Sequence, residues 1–156
     1  MGDDWPSKHK EIAYTESRAV IDAQNATMTD IDNKAMRTVR LNAVLLGLLV
    51  TGLQFIPDMF HDTALQTSFV FLILSTVCGV ITYNESNLYV GPQGRYIEDL
   101  ADDNFSDLSW DENLLKTMAG MISKNYDDIQ RNAHWLTATQ IALVFGIITA
   151  VAAVAI

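Results

Sequence analysis

A chain of 156 residues, 49% hydrophobic and carrying a net charge of −9, has room for a single domain, and its surplus of carboxylates excludes nucleic acid as a partner, because phosphate binding needs clustered Lys and Arg. One cysteine, Cys78, leaves no intrachain disulfide and no cysteine-based metal site. Charge is also segregated: residues 41–57, 64–83 and 135–156 hold no Asp, Glu, Lys, Arg or His, whereas the 51 residues between the last two hold 14 of the 29 charged side chains. A soluble fold spreads charge along its helices, so the pattern predicts an all-α integral membrane protein with three transmembrane helices and cytoplasmic helical extensions. The acidic, Lys-poor balance also suits a halophilic host, where carboxylate keeps a surface soluble.

Residues 1–40 read as a cytoplasmic helical segment. Trp5-Pro6-Ser7 looks like a helix start with Ser7 as its cap. Ile12, Ala19, Ala23 and Ala26, then Ile31, Ala35 and Val39, form an apolar stripe at spacings of three, four and seven. Thr29 with Asp32 offers a second start, so this helix runs into the first span either broken or continuous. Residues 41–83 form a transmembrane hairpin. Its spans lie at about 39–58, where Val39, Arg40 and Asp58 snorkel at the ends, and at 64–83. Residues 84–134 form a second cytoplasmic helical segment. Gly91-Pro92 and Gly94 turn the chain, a short helix presents Tyr96, Ile97 and Leu100, and Ser109 with Glu112 makes a capping box. No proline follows Ser109, so one helix from Trp110 through the third span, 135–156, is expected.

Orientation follows from the positive charges. Lys8, Lys10, Arg18, Lys34, Arg37 and Arg40 precede the first span, and Arg95, Lys116, Lys124 and Arg131 lie between the second and third. All ten fall on one side, which is the cytoplasmic side. The N-terminus is therefore expected inside, the 58–63 hairpin and the C-terminus outside, in a multi-pass cell-membrane protein. Tyr83, His134 and Trp135 fall at the cytoplasmic boundary. The sequons at Asn25, Asn84 and Asn104 then face inward and read as chance matches.

Few residues point to chemistry. Tyr89-Val-Gly-Pro-Gln-Gly94 lacks the Lys-Ser/Thr of a phosphate-binding loop. Glu98, Asp99, Asp102 and Asp103 read as a solvated acidic face, and Asp58, His61 and Asp62 lack the further ligand that a Zn²⁺ site would need. No nucleophile–base pairing is present, so neither an enzyme nor a cofactor or metal site is expected. Helix packing is the expected role of Ser75 and Gly79 in span two and of Ala142, Gly146 and Ala150 in span three. Asn42, Gln54 and Gln140 are the polar residues within the spans, able to hydrogen-bond across helices or to line a pore in a multimer. Leu115, Met118, Ile122, Asn125, Ile129 and Asn132 make a seam on the last cytoplasmic helix. That seam packs either on the N-terminal helix of the same chain or on another copy, where Asn would set register.

This layout has counterparts. Asn33-Lys34-Ala35 leads into a span with Asn42, a tight hairpin follows, and Tyr89-Val-Gly91, Lys124-Asn125 and Arg131-Asn132 precede the last span. Over residues 30–156 the chain resembles the small three-span membrane proteins of haloarchaea. More distantly, it resembles the Pycsar-type and SLATT-type transmembrane effectors of nucleotide-signalled antiphage defence. The resemblance implies an archaeal source, a homo-oligomer, and pore formation or membrane disruption after a cytoplasmic signal from a protein or nucleotide. It brings no ligand-binding residue, because an Arg cluster suited to a cyclic nucleotide is missing. The other reading open at this point is a non-catalytic adaptor whose acidic cytoplasmic face docks a partner.

Overall fold

The structure is a computed structural model and describes residues 7–84, 88–91, 94, 96, 98 and 109–155, without the Asp58 side chain. Most described residues are helical, and three helices are long and apolar enough to cross a membrane: α1 (Lys8–Phe55), α2 (Asp62–Asn84) and α3 (Trp110–Ala155). Of the short helix expected here, Tyr96 is described and helical, whereas Ile97 and Leu100, and the acidic residues Asp99, Asp102 and Asp103, lie outside the described residues.

Local chemistry sets the helix ends. Ser7 caps α1, its hydroxyl accepting from the Lys10 N–H at 3.4 Å. No break occurs at Thr29, and α1 continues for 48 residues. It stops because Pro57 disfavours helical geometry at the preceding residue; Ile56 sits at φ −140°, ψ 65°. A 3-10 turn, Pro57–Met59, then leads to α2. At the start of α3 the expected capping box does not form. The Ser109 carbonyl accepts from the Glu112 and Asn113 N–H groups, and the Glu112 carboxylate pairs with Lys116 one turn on, at 2.9 Å. At about 1.5 Å per residue, α1 and α3 each exceed twice the ~30 Å of hydrocarbon they would cross.

The chain divides into two compact units, both of which draw on α1 and α3. The first comprises residues 1–28 and 87–130. Its core contains Ile21, Met28, Met118 and Met121, with Asp111 and Asn125 buried among them. Here α1 and α3 run parallel, as the bonds Lys10–Asp111 and Gln24–Ile122 show. The expected stripe is half displaced. Ile12, Ala19, Ala23 and Ala26 are exposed, and α1 instead buries Ile21 and Met28, seven apart. Alanine is nearly neutral between faces, so larger side chains on the neighbouring face decided the rotation.

The second unit comprises residues 29–86 and 131–156. Its buried positions follow a seven-residue repeat. These are Ala35 and Asn42 on α1; Leu65, Ser68, Leu72, Ser75, Gly79 and Thr82 on α2; and Asn132, Thr139, Gly146 and Ala153 on α3. A 3.5-residue period keeps one seam of each helix facing its neighbours, as in left-handed bundles. The polarity is inverted relative to a soluble core. Asn42, Ser68, Ser75, Thr82 and Thr139 are fully buried, while Val44, Leu48, Val70 and Val151 point outward with 59%, 64%, 64% and 63% of their surface exposed. Such an arrangement is stable where the surroundings are hydrocarbon, consistent with a multi-pass membrane protein.

Candidate functional site

Hydrogen bonding organises the interior of the apolar unit. The Asn42 amide donates from Nδ2 to Ser75 Oγ at 2.8 Å, and the Ser75 hydroxyl donates to the Thr139 carbonyl at 2.8 Å. One chain of bonds thus ties all three helices. Two turns away the Ser68 hydroxyl donates to the Gly146 carbonyl at 2.8 Å, and beyond α2 the His61 N–H donates to the Ala153 carbonyl at 2.8 Å. The three donors rise by seven along the chain as the three acceptors fall by seven, which fixes an antiparallel register between α2 and α3. Ser75 can donate to only one partner. Its proton goes to Thr139, so Asn42 must present its NH₂ group, and Asn42 Oδ1 is left buried without a partner. Outward-facing hydroxyls are satisfied differently: Thr51, Thr67, Thr137 and Thr149 each donate to the carbonyl four residues earlier, hiding a polar group from hydrocarbon.

Close packing complements the ladder. A Cβ on Gly79 would stand 2.7 Å from Val39 Cγ2 and 3.3 Å from Thr139 Cγ2, and one on Gly146 would stand 2.7 Å from Leu72 Cδ2. Ala142 is buried beside them. Ala150 is half-buried and lines a groove of about 510 Å³ between α1 and α3, with Leu45, Leu48, Phe60, Gly146 and Val151. Phe71 and Phe145 stack at 5.5 Å. Gln54 and Gln140 face outward, away from the ladder, and neither meets a hydrogen-bond partner among the described residues.

Asn125 organises the polar unit. Its Oδ1 accepts from the Tyr89 N–H at 2.8 Å and its Nδ2 donates to the Tyr89 carbonyl at 2.9 Å. A single buried amide thereby satisfies both backbone groups of a residue outside any helix, and the Lys124 ammonium lies 5.4 Å from the Tyr89 ring centre. Met118, Asn125 and Asn132 are buried, while Leu115, Ile122 and Ile129 are half-buried. Both polar atoms of the buried Asn125 amide are thus engaged within the chain.

At the far end, Lys10 Nζ lies 2.5 Å from Asp111 Oδ2. Lys10, with help from the Ser109 hydroxyl, lowers the Asp111 pKa from 3.8 to about 2. The Gln24 amide donates to the Ile122 carbonyl at 2.9 Å. These contacts are structural ties. Among the described residues, no group of three or more His, Cys, Asp and Glu is arranged to hold a metal ion, and His61 and Asp62 are exposed.

Ser68, Thr139, Gln24 and Asp111 take part in these ties without having stood out in the sequence, and Lys10 and Tyr89 had stood out only for charge and for a loop motif. Ser68, Ser75 and Thr82 did carry a signal, since hydroxyls seven apart share one helix face. Compared with known protein families, characterised proteins and solved structures, the chain matches none.

Proposed function

We propose that the protein is a membrane effector that acts as an oligomer, forming a pore or disrupting the bilayer under the control of its cytoplasmic helices. The observation that carries this reading is the continuity of α1 and α3, each a single unbroken helix that supplies residues to both units. The ten Lys and Arg residues support a cytoplasmic polar unit and an external C-terminus. The apolar interior is filled, with Asn42, Leu72, Ser75 and Thr139 fully buried, so any conducting path belongs between copies. The role in nucleotide-signalled antiphage defence rests on the resemblance to transmembrane effectors.

The test is permeabilisation. On overexpression the chain is expected to depolarise cells and to purify as a defined multimer. A strictly monomeric, non-toxic protein overturns the reading.

One observation favours a second reading, a non-catalytic adaptor. Glu11, Glu16, Asp22 and Asp127 are exposed on the polar unit, an acidic surface on which a basic partner docks. Recovery of one specific protein with the wild-type chain, and its loss when these carboxylates are replaced by amides, supports the adaptor; recovery of none counts against it.

A further inference from the structure

The geometry points to an anionic phospholipid as the occupant of one face of α1, its phosphate held by Arg37 and Arg40 and an acyl chain lying along Leu41, Val44 and Leu48. Arg37, Leu41, Val44 and Leu48 recur at spacings of four, three and four, and Arg40 lies one turn before Val44, so the five share one side of the helix. All are exposed, Val44 at 59% and Leu48 at 64%. Leu48 is also a wall of the groove between α1 and α3, so the apolar surface below the arginines continues into a recess. A single copy of the chain presents this face, and oligomerisation is not required for it.

Depth and charge together identify the occupant. Asn42, Ser75 and Thr139 are bonded to one another and mark one level on all three helices. From that level, the uncharged runs end one residue before Asn42 on α1, eight past Ser75 on α2 and four before Thr139 on α3. This spread of seven residues is about 10 Å at the helical rise. It holds the exposed Tyr83 and Trp135, as a membrane boundary does. Arg37 and Arg40, five and two residues before Asn42, fall inside the same band. The chain is acidic overall, yet α1 has no carboxylate from Asn33 to Phe55, α2 none after Asp62 and α3 none after Asp128. Lys34 is paired with Asp30, whereas neither Arg37 nor Arg40 meets a carboxylate among the described residues. Two uncompensated guanidinium groups at headgroup level attract a phosphate, which their planar forks grip with paired hydrogen bonds. A soluble anion would engage the arginines and leave the apolar stripe bare, and an acidic peptide would have to follow that stripe into hydrocarbon. A phospholipid meets both. Leu48 lies eight residues beyond Arg40, about 12 Å, which is within one leaflet of a ~30 Å core. A choline headgroup brings its own cation beside the phosphate, so a headgroup without one, such as glycerol, is preferred.

The experiment uses the full chain, dilute in phosphatidylcholine vesicles at about 0.1 M salt. A fluorophore on Val44→Cys in a Cys78→Ala background reads quenching by trace phosphatidylglycerol or phosphatidylcholine carrying a spin label on its acyl chain. The same fluorophore on Ile73→Cys, exposed on α2 at the same depth, is the reference. Phosphatidylglycerol is expected to win at Val44 by roughly tenfold, and at Ile73 by about twofold or less. Replacing both arginines with Gln should bring Val44 down to the Ile73 value, while replacing both with Lys should keep a clear preference. Equal quenching by the two lipids at Val44, or an equal preference at Ile73, overturns the site without any arginine substitution. So does a preference that survives the loss of both arginines. None of these outcomes bears on whether the chain forms multimers.

Discussion

Single atoms decide much of the packing in the apolar unit. A methyl group added at Gly146 meets Leu72 Cδ2 at 2.7 Å and Cγ at 2.9 Å, and one at Gly79 meets Val39 Cγ2 at 2.7 Å. Gly146→Ala and Gly79→Ala are each expected to cost about 1–3 kcal/mol in reversible unfolding from detergent micelles. Gly47, with open space around it, should gain up to about 1 kcal/mol on the same change. Ser75→Ala strands the Asn42 amide, and a cost of about 0.5–2 kcal/mol is expected. Combined with Asn42→Leu it should cost less than the two single changes together, because both belong to one chain of bonds. Asp111 adds a pH dependence. Its folded pKa is depressed, so its stabilisation is fully present above about pH 4 and is lost as pH falls toward about 2. In acid unfolding followed by circular dichroism, Lys10→Met should flatten the loss in that window.

Helices were the most legible level. Three long uncharged runs, together with the absence of proline after Ser109, made α2 and α3 readable nearly to their ends. The rotation of α1 was less so, because Ile12 and three alanines offered a stripe that the exposed face absorbed. The seam through Asn125 was visible as a pattern, but its partner was not. Nothing in residues 88–91 marks Tyr89 as the peptide an amide 36 positions later would hold. Contacts between a side chain and a remote backbone depend on how a connection folds back, and periodicity does not report that. The clamp has a direct test. Asn125→Ala should speed hydrogen exchange at the Tyr89 amide and open residues 88–91 to protease, while helical content stays unchanged.

For the molecule as a whole, the inverted polarity of the second unit, apolar outside and hydroxylated inside, matches a chain made for hydrocarbon surroundings. The distribution of Lys and Arg predicts an orientation that labelling tests. With Cys78 replaced, a cysteine at Ser123 should react with an impermeant thiol reagent only after cells are opened, and one at Thr63 should react in intact cells. The reverse pattern would invert the topology.

The seven-residue ladder also bears on assembly. Sliding α2 by one repeat would set Ser75 against Gly146 and Ser68 against Ala153, and both hydroxyls would again find carbonyls. The ladder alone therefore does not distinguish neighbouring alignments. What distinguishes them is α1, whose Asn42 meets only Ser75 and whose Val39 and Ala35 close over the bare backbone of Gly79. The earliest of these three helices is thus the ruler against which the other two are aligned, and a chain without that ruler would be expected to settle in more than one alignment.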